Sequence, residues 1–97
     1  MKTLAIDLET FSDIDIAKSG LYKYAEHSEV LLFAYAYNDS PVQVVDLACG
    51  EELPDTVLRD LTAPDVLKTA FNAAFEMHVL AHWLDLHPDP AQWLCTM

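Results

Sequence analysis

The stretch Lys2-Thr3-Leu4-Ala5-Ile6-Asp7-Leu8-Glu9 decides the fold. Large apolar residues recur at every second position from Leu4 to Leu8, and this period of two is typical of a β-strand. Ala5 on the alternate face is also apolar, so we expect a strand buried on both sides, as in the centre of an α/β sheet. The strand ends in two carboxylates, Asp7 and Glu9, whose spacing places them on the same face.

The rest of the sequence predicts alternating elements. The turn residues at 38–41 join two apolar runs into a hairpin. Residues 10–29 are polar and predict an irregular segment, with one helical turn around 14–18. Asn72 is a suitable N-cap for the second of two helices. Four predicted strands cover 2–9, 30–37, 42–47 and 67–71, and a fifth begins at 93. Of the two predicted helices, a short one begins near Glu51 and the second covers 73–84.

The predicted order is strand, strand, strand, helix, strand, helix, strand. A hairpin followed by strand–helix–strand crossovers gives a mixed sheet with helices packed on it. The fold class is therefore α/β. The 97 residues are enough for a single domain with one core. The apolar ending after Trp93 is unusual for a chain terminus, so we expect the sequence to be the N-terminal part of a larger domain, cut after the fifth strand.

Composition excludes several classes of protein. The sequence is 53% hydrophobic, which is typical of a folded chain, and it has no apolar run of the roughly 18 to 20 residues that a membrane-spanning helix needs. An acid at position 7 interrupts what would be the apolar stretch of a signal peptide. Cys49 and Cys95 are far apart, so two reduced thiols in a cytoplasmic protein are expected.

The net charge of −11 argues against a nucleic-acid-binding surface of the usual basic kind. Two interpretations remain. Either the chain does not bind nucleic acid, or metal ions held by some of its acids mediate binding while another part of the protein supplies positive charge.

Two groups of residues have the chemistry of a metal site. Asp7 and Glu9 would repel each other unless a cation neutralised them, and Mg²⁺ prefers such oxygen ligands. Glu76 lies four residues after Asn72, on the same face of the helix start. If strand 67–71 lies beside strand 2–9, the start of the helix that carries Glu76 lies at the same edge of the sheet as Asp7 and Glu9. The alternative is an ordinary strand-end acid pair, with Asn72 and Glu76 acting only on the helix terminus.

These motifs resemble those of the DEDD 3′→5′ exonucleases, which have a ribonuclease H-like fold. The likeness is strongest to the N-terminal exonuclease domain of phage-type family A DNA polymerases. It covers essentially the whole chain through four stretches in order: Asp7-Leu8-Glu9-Thr10-Phe11-Ser12, Gly20-Leu21-Tyr22-Lys23-Tyr24-Ala25, Phe71-Asn72-Ala73-Ala74-Phe75-Glu76 and Trp93-Leu94-Cys95-Thr96-Met97.

The resemblance implies a role for each matching residue. Asp7, Glu9 and Glu76 would hold two ions of Mg²⁺ or Mn²⁺, although Glu76 stands where the family more often has Asp. Asn72 would steady the site. Thr10, Phe11 and Phe75 would lie near the 3′-terminal nucleotide of single-stranded DNA, where an aromatic ring can stack on a base. For these last three, a core or turn role is equally compatible with the sequence.

The third motif of the family, which carries the last carboxylate, has no match here. We therefore expect the 97 residues alone to be an incomplete catalyst, with a polymerase region following in the full-length protein. Two alternatives remain open: a non-catalytic ribonuclease H-like scaffold or partner-binding module, and a related enzyme that acts on RNA.

Overall fold

The sheet is built around its first strand, β1. The computed structural model describes residues 2–12 and 28–96. The strands are β1 (Lys2–Ser12), β2 (Ser28–Tyr37), β3 (Gln43–Asp46), β4 (Val66–Ala70) and β5 (Trp93–Cys95), and the helices are α1 (Asp55–Asp60) and α2 (Ala73–Leu84). The strand order is β3-β2-β1-β4-β5. The hairpin pairings β1–β2 and β2–β3 are antiparallel, whereas β1–β4 and β4–β5 are parallel. The predicted mixed α/β sheet is confirmed.

The bounds of α2 agree with the prediction, because local signals define both ends. The side chain of Asn72 accepts a hydrogen bond from the backbone N–H of Phe75 at 3.4 Å and so caps the first turn. Asp85, with φ of 53°, adopts the left-handed conformation that commonly ends a helix.

Residues 10–12 and 28–29 were wrongly predicted as irregular. The β1–β2 ladder continues through the pairs Thr10↔Val30, Phe11↔Glu29 and Ser12↔Ser28. Its register shifts between Glu9 and Thr10, a β-bulge that allows pairing to resume beyond the polar residues. The helical turn predicted around 14–18 lies outside the described residues.

Two other strands differ slightly from the prediction. β3 is shorter because Leu47–Cys49 form a 3₁₀ turn, in which the Asp46 carboxylate accepts a hydrogen bond from the Cys49 N–H at 3.2 Å. Gly50 ends this turn with φ of 91°, a left-handed conformation that glycine adopts without a steric penalty. β4 occupies residues 66–70 rather than 67–71, so Phe71 belongs to the turn before α2.

The helices cover one face of the sheet. Leu4, Ile6 and Leu8 of β1 are buried in one cluster with Val57 of α1 and Val79 of α2. Ala5, Asp7 and Glu9 point to the opposite face and are exposed. The expectation that β1 is buried on both sides is therefore wrong for the described residues, because both helices pack on the same side.

Two polar contacts attach loops and helices to this core. Asp60 at the end of α1 is buried and accepts hydrogen bonds from Lys2 Nζ at 2.8 Å and from the Tyr37 hydroxyl at 2.6 Å. Lys68 of β4 is fully buried, and its Nζ donates to the Ala63 carbonyl at 2.9 Å and to Gln92 Oε1 at 2.8 Å. Across residues 2–12 and 28–96, no helix is long and apolar enough to cross a membrane.

Candidate active site at the carboxyl edge of the sheet

Asp7 and Glu9 lie on the open face of β1, just before its bulge. Both side chains are exposed, and their β2 partners in the ladder are Ala34 and Leu32. The bulge follows Glu9 immediately, which locally increases the strand twist and redirects the chain beyond the acids. β-Bulges are over-represented beside active sites for this reason.

The start of α2 brings Glu76 to the same edge. β4 runs parallel to β1 with Thr69 opposite Ala5, so both strands deliver their carboxyl ends to one side of the sheet. The turn at Phe71 and Asn72 then starts α2, and Glu76 lies in its first turn. The Glu76 side chain is only 5% exposed. The predicted adjacency of the two motifs is thus present in the fold.

Glu76 is held in an electrostatically unfavourable position. Burial raises the pKa of its carboxyl group from 4.5 to about 7, and the negative charge of Asp7 adds to this rise. Hydrogen bonds from the backbone N–H groups of Glu76 and Leu8 oppose part of it. Glu76 Oε2 is buried and has no hydrogen-bond partner among the described residues. A buried acceptor left in this way is costly, and a bound cation would relieve the cost.

The chemistry of these oxygens fits a hard divalent cation. Asp7 and Glu76 supply carboxylate oxygens whose mutual repulsion Mg²⁺ or Mn²⁺ would neutralise. In the parts of the chain described, no three His, Cys, Asp or Glu side chains are grouped as a ready-made metal site. Asp7 and Glu76 interact electrostatically, and Glu9 lies two residues after Asp7 on the same exposed face of β1.

The predicted substrate-binding residues differ in exposure. Phe11 is 60% exposed beyond the bulge, Thr10 is half-buried, and Asn72 is occupied as the helix cap. Phe75 packs against the hydrophobic core, which supports its core interpretation.

Phe71 is an exposed aromatic residue at this edge that the sequence analysis did not single out. Its side chain is 68% exposed, directly after β4. Ala5 and Thr69 form the last pair between β1 and β4. Asp7 lies two residues after Ala5, and Phe71 lies two residues after Thr69. The period of two in β4 could have predicted this position, because it places Phe71 in phase with Thr69.

Known proteins resemble this chain in sequence and in fold. No family model matches the chain. The chain is 53% identical over 98 residues to the DNA polymerase of Bacillus phage SP02, an alignment that covers 99% of this chain and 15% of the polymerase. The chain therefore spans a small part of the relative that it matches.

Solved structures show the same fold. Brucella melitensis NrnC bound to pGG matches with a TM-score of 0.70 and 22% identity, covering 97% of this chain and 40% of that one. NrnC with bound Mg²⁺ matches with the same score and identity over 41% of its length. The predicted ribonuclease H-like fold is thus confirmed, as is the resemblance to a phage DNA polymerase.

Proposed function

We propose that residues 1–97 form the N-terminal part of a DNA polymerase proofreading domain that hydrolyses the 3′-terminal phosphodiester of single-stranded DNA. The observation that carries this proposal is the buried Glu76 carboxylate beside Asp7 at the carboxyl edge of the sheet, whose Oε2 has no hydrogen-bond partner among the described residues. Such a group destabilises the protein unless it has a ligand to bind, and perturbed acids of this kind cluster at functional sites.

Asp7, Glu9 and Glu76 would hold two ions of Mg²⁺ or Mn²⁺ in this proposal. When bound, such ions supply an activated water and neutralise the leaving oxygen. The chain's own contribution is to position the three carboxylates: the β1 ladder fixes Asp7 and Glu9, and the Asn72 cap fixes the first turn of α2. A further carboxylate from another part of the full-length protein would complete the set.

Phe11 and Phe71 would contact the terminal nucleotides. Both rings are exposed at the edge that carries the acids, and exposed aromatic rings stack on unpaired bases. Thr10, Asn72 and Phe75 would support this surface from partly buried positions.

Two structures of NrnC support the choice of an oligonucleotide substrate and a divalent metal ion. One contains pGG and the other contains Mg²⁺. The polymerase homologue favours DNA as the substrate and the cytoplasm as the place of action. In this proposal, metal ions and a basic polymerase region elsewhere in the full-length protein offset the net charge of −11 and attract the phosphates.

The test follows the shortening of a single-stranded oligonucleotide labelled at its 5′ end. The full-length protein is expected to produce a ladder that shortens from the 3′ end with Mg²⁺ or Mn²⁺ and not with EDTA. Asp7→Ala/Glu9→Ala is expected to reduce the rate at least 100-fold. The matched control is Asp39→Ala/Asp65→Ala, which removes two exposed acids from turns elsewhere in the structure and should leave the rate unchanged.

The competing function is a non-catalytic scaffold with the same fold. The net charge of −11, which does not favour binding of phosphates, is the observation that favours it. A scaffold has no reason to bind a divalent ion at Asp7. Calorimetric titration with Mn²⁺ therefore discriminates between the two functions. The scaffold is supported if Mn²⁺ binding does not depend on Asp7 and the well-folded full-length protein does not degrade DNA.

A further inference from the structure

A second surface feature lies on the helix-covered side of the sheet and shares no residue with the carboxylate site. It is a groove of about 250 Å³ between the segment that follows β3 and the end of α2. Trp83, at its far wall, lies seven residues after Glu76, which is about 10 Å along the helix axis. The groove is therefore separate from the proposed nuclease site.

The floor of the groove is apolar and rigid. Leu53 is buried, and Leu47, Leu58 and Trp83 are partly buried against the hydrophobic core. The Trp83 ring also contacts the Phe33 ring, with centroids 6.3 Å apart. An apolar side chain inserted here would extend the existing core, and it would be stabilised by the area that it removes from water.

The rim of the groove is acidic. Glu51, Glu52 and Asp55 line it, and no Lys or Arg within residues 2–12 and 28–96 does. Glu51 is held in place because its Oε1 accepts a hydrogen bond from the Asp46 N–H at 2.8 Å. Glu52 and Asp55 are exposed. The proposed nuclease function does not use any of these three carboxylates.

We propose that this acidic-rimmed groove, defined by Leu47, Leu53, Leu58 and Trp83 with Glu51, Glu52 and Asp55, binds a basic segment of a second protein. The segment inserts an apolar side chain on to the floor and places Lys or Arg side chains against the rim. Charge complementarity selects this partner: a neutral or acidic peptide would leave three like charges beside a desolvated apolar surface. Nucleic acid is excluded from the same groove by these charges.

The test measures binding of a synthetic amphipathic helix of leucine and lysine, labelled for fluorescence anisotropy. Wild-type full-length protein is expected to bind it in 0.15 M salt and to bind the leucine–glutamate version at least tenfold more weakly. Glu52→Lys/Asp55→Lys is expected to weaken binding of the lysine peptide at least tenfold, and Glu52→Gln/Asp55→Asn by less. Asp39→Lys/Asp65→Lys makes the same change of net charge away from the groove and should change the affinity less than threefold.

Several outcomes would overturn the proposal. Equal weakening by the two lysine variants would mean that the peptide responds only to net charge. No binding by the wild-type protein would mean that the groove is closed or filled by the protein's own chain. Circular dichroism confirms that the variants fold, and the 3′ shortening of DNA is measured on the same samples. Because the groove shares no residue with the carboxylate edge, either proposal can fail while the other stands.

Discussion

Glu76 shows at the scale of one residue how function and stability conflict in this fold. Its carboxylate is 5% exposed, faces the charge of Asp7 and leaves one oxygen without a partner among the described residues. At pH values between its ordinary pKa of 4.5 and its raised pKa of about 7, the Glu76 carboxyl group is therefore protonated in the folded protein and ionised in the unfolded chain. Between about pH 4.5 and 7 the folded state binds more protons, so the free energy of unfolding falls as the pH rises through this range.

Glu76→Gln should stabilise the metal-free protein at pH 8 by roughly 1 to 3 kcal/mol, because it removes the buried charge and keeps the shape of the side chain. At pH 4 the two proteins should be nearly equal. Thermal unfolding in EDTA at both pH values measures the difference. Glu9→Gln is the control, since it neutralises an exposed acid on the same edge and should change stability by less than about 0.5 kcal/mol.

Addition of Mg²⁺ should reverse this order. A ligand that binds only the folded state stabilises it, so wild-type protein should gain stability at pH 8 and Glu76→Gln should gain much less. Equal gains in the two proteins would show that Glu76 does not take part in metal binding.

Phe71 permits a second test of the edge. Phe71→Ala should weaken binding of single-stranded DNA about tenfold, because one base loses its stacking partner. Binding is measured with Ca²⁺ in place of Mg²⁺, so that the DNA stays intact. Thr62→Ala truncates an exposed side chain in the turn before β4, at the opposite end of that strand, and should leave affinity unchanged. Equal affinity of the Phe71 variant and the wild type would remove Phe71 from the substrate surface.

At the scale of elements, one buried carboxylate attaches α1 to the sheet. Burial alone would raise the pKa of Asp60, but hydrogen bonds from Lys2 and Tyr37 lower it below its ordinary value. Tyr37→Phe should lower the free energy of unfolding by about 1 to 2 kcal/mol, because a buried carboxylate loses one donor while Lys2 still neutralises it. Urea unfolding at pH 7 measures this loss, and an unchanged midpoint would contradict it.

Elements with local signals were predictable, and those that depend on distant partners were not. The bounds of α2 followed from Asn72 and the residues after it. The extension of β1 to Ser12 depends on pairing with β2 across a bulge, for which Thr10-Phe11-Ser12 contains no period-two pattern. The burial of Lys68 depends on Gln92, twenty-four residues away, and lysine is rarely buried fully.

The candidate site divided in the same way. Strand spacing was sufficient to place Asp7 and Glu9 on one face, and the strand order was sufficient to bring Glu76 near them. The strength of the burial around Glu76 could not be predicted, because a first-turn acid is usually exposed and favourable to the helix dipole. That burial comes from packing of α2 on the sheet, which only the three-dimensional structure shows.

At the scale of the whole molecule, the described part of the sheet exposes apolar side chains on both of its outer strands. Val44 is 58% and Leu94 is 53% exposed, on the outermost strands β3 and β5. Large exposed apolar patches promote association. The 97-residue chain should therefore self-associate, and Val44→Lys should increase its monomeric fraction in light scattering. Thr62→Lys adds the same charge in an exposed turn and should have a smaller effect.

The central place of β1 also governs the order of events during synthesis. β1 leaves the ribosome before the other four strands and can pair with β2 as soon as Tyr37 has emerged. Its second neighbour, β4, is complete only at Ala70, thirty-three residues later. At 5 to 20 residues per second this delay is about 2 to 7 s. During that interval, the side of β1 that later pairs with β4 is an exposed strand edge, and another chain can pair with it. Asp7 and Glu9 are thus held on a finished hairpin before Glu76 has emerged from the ribosome, so Glu76 is the last of the three acids to reach its place in the fold.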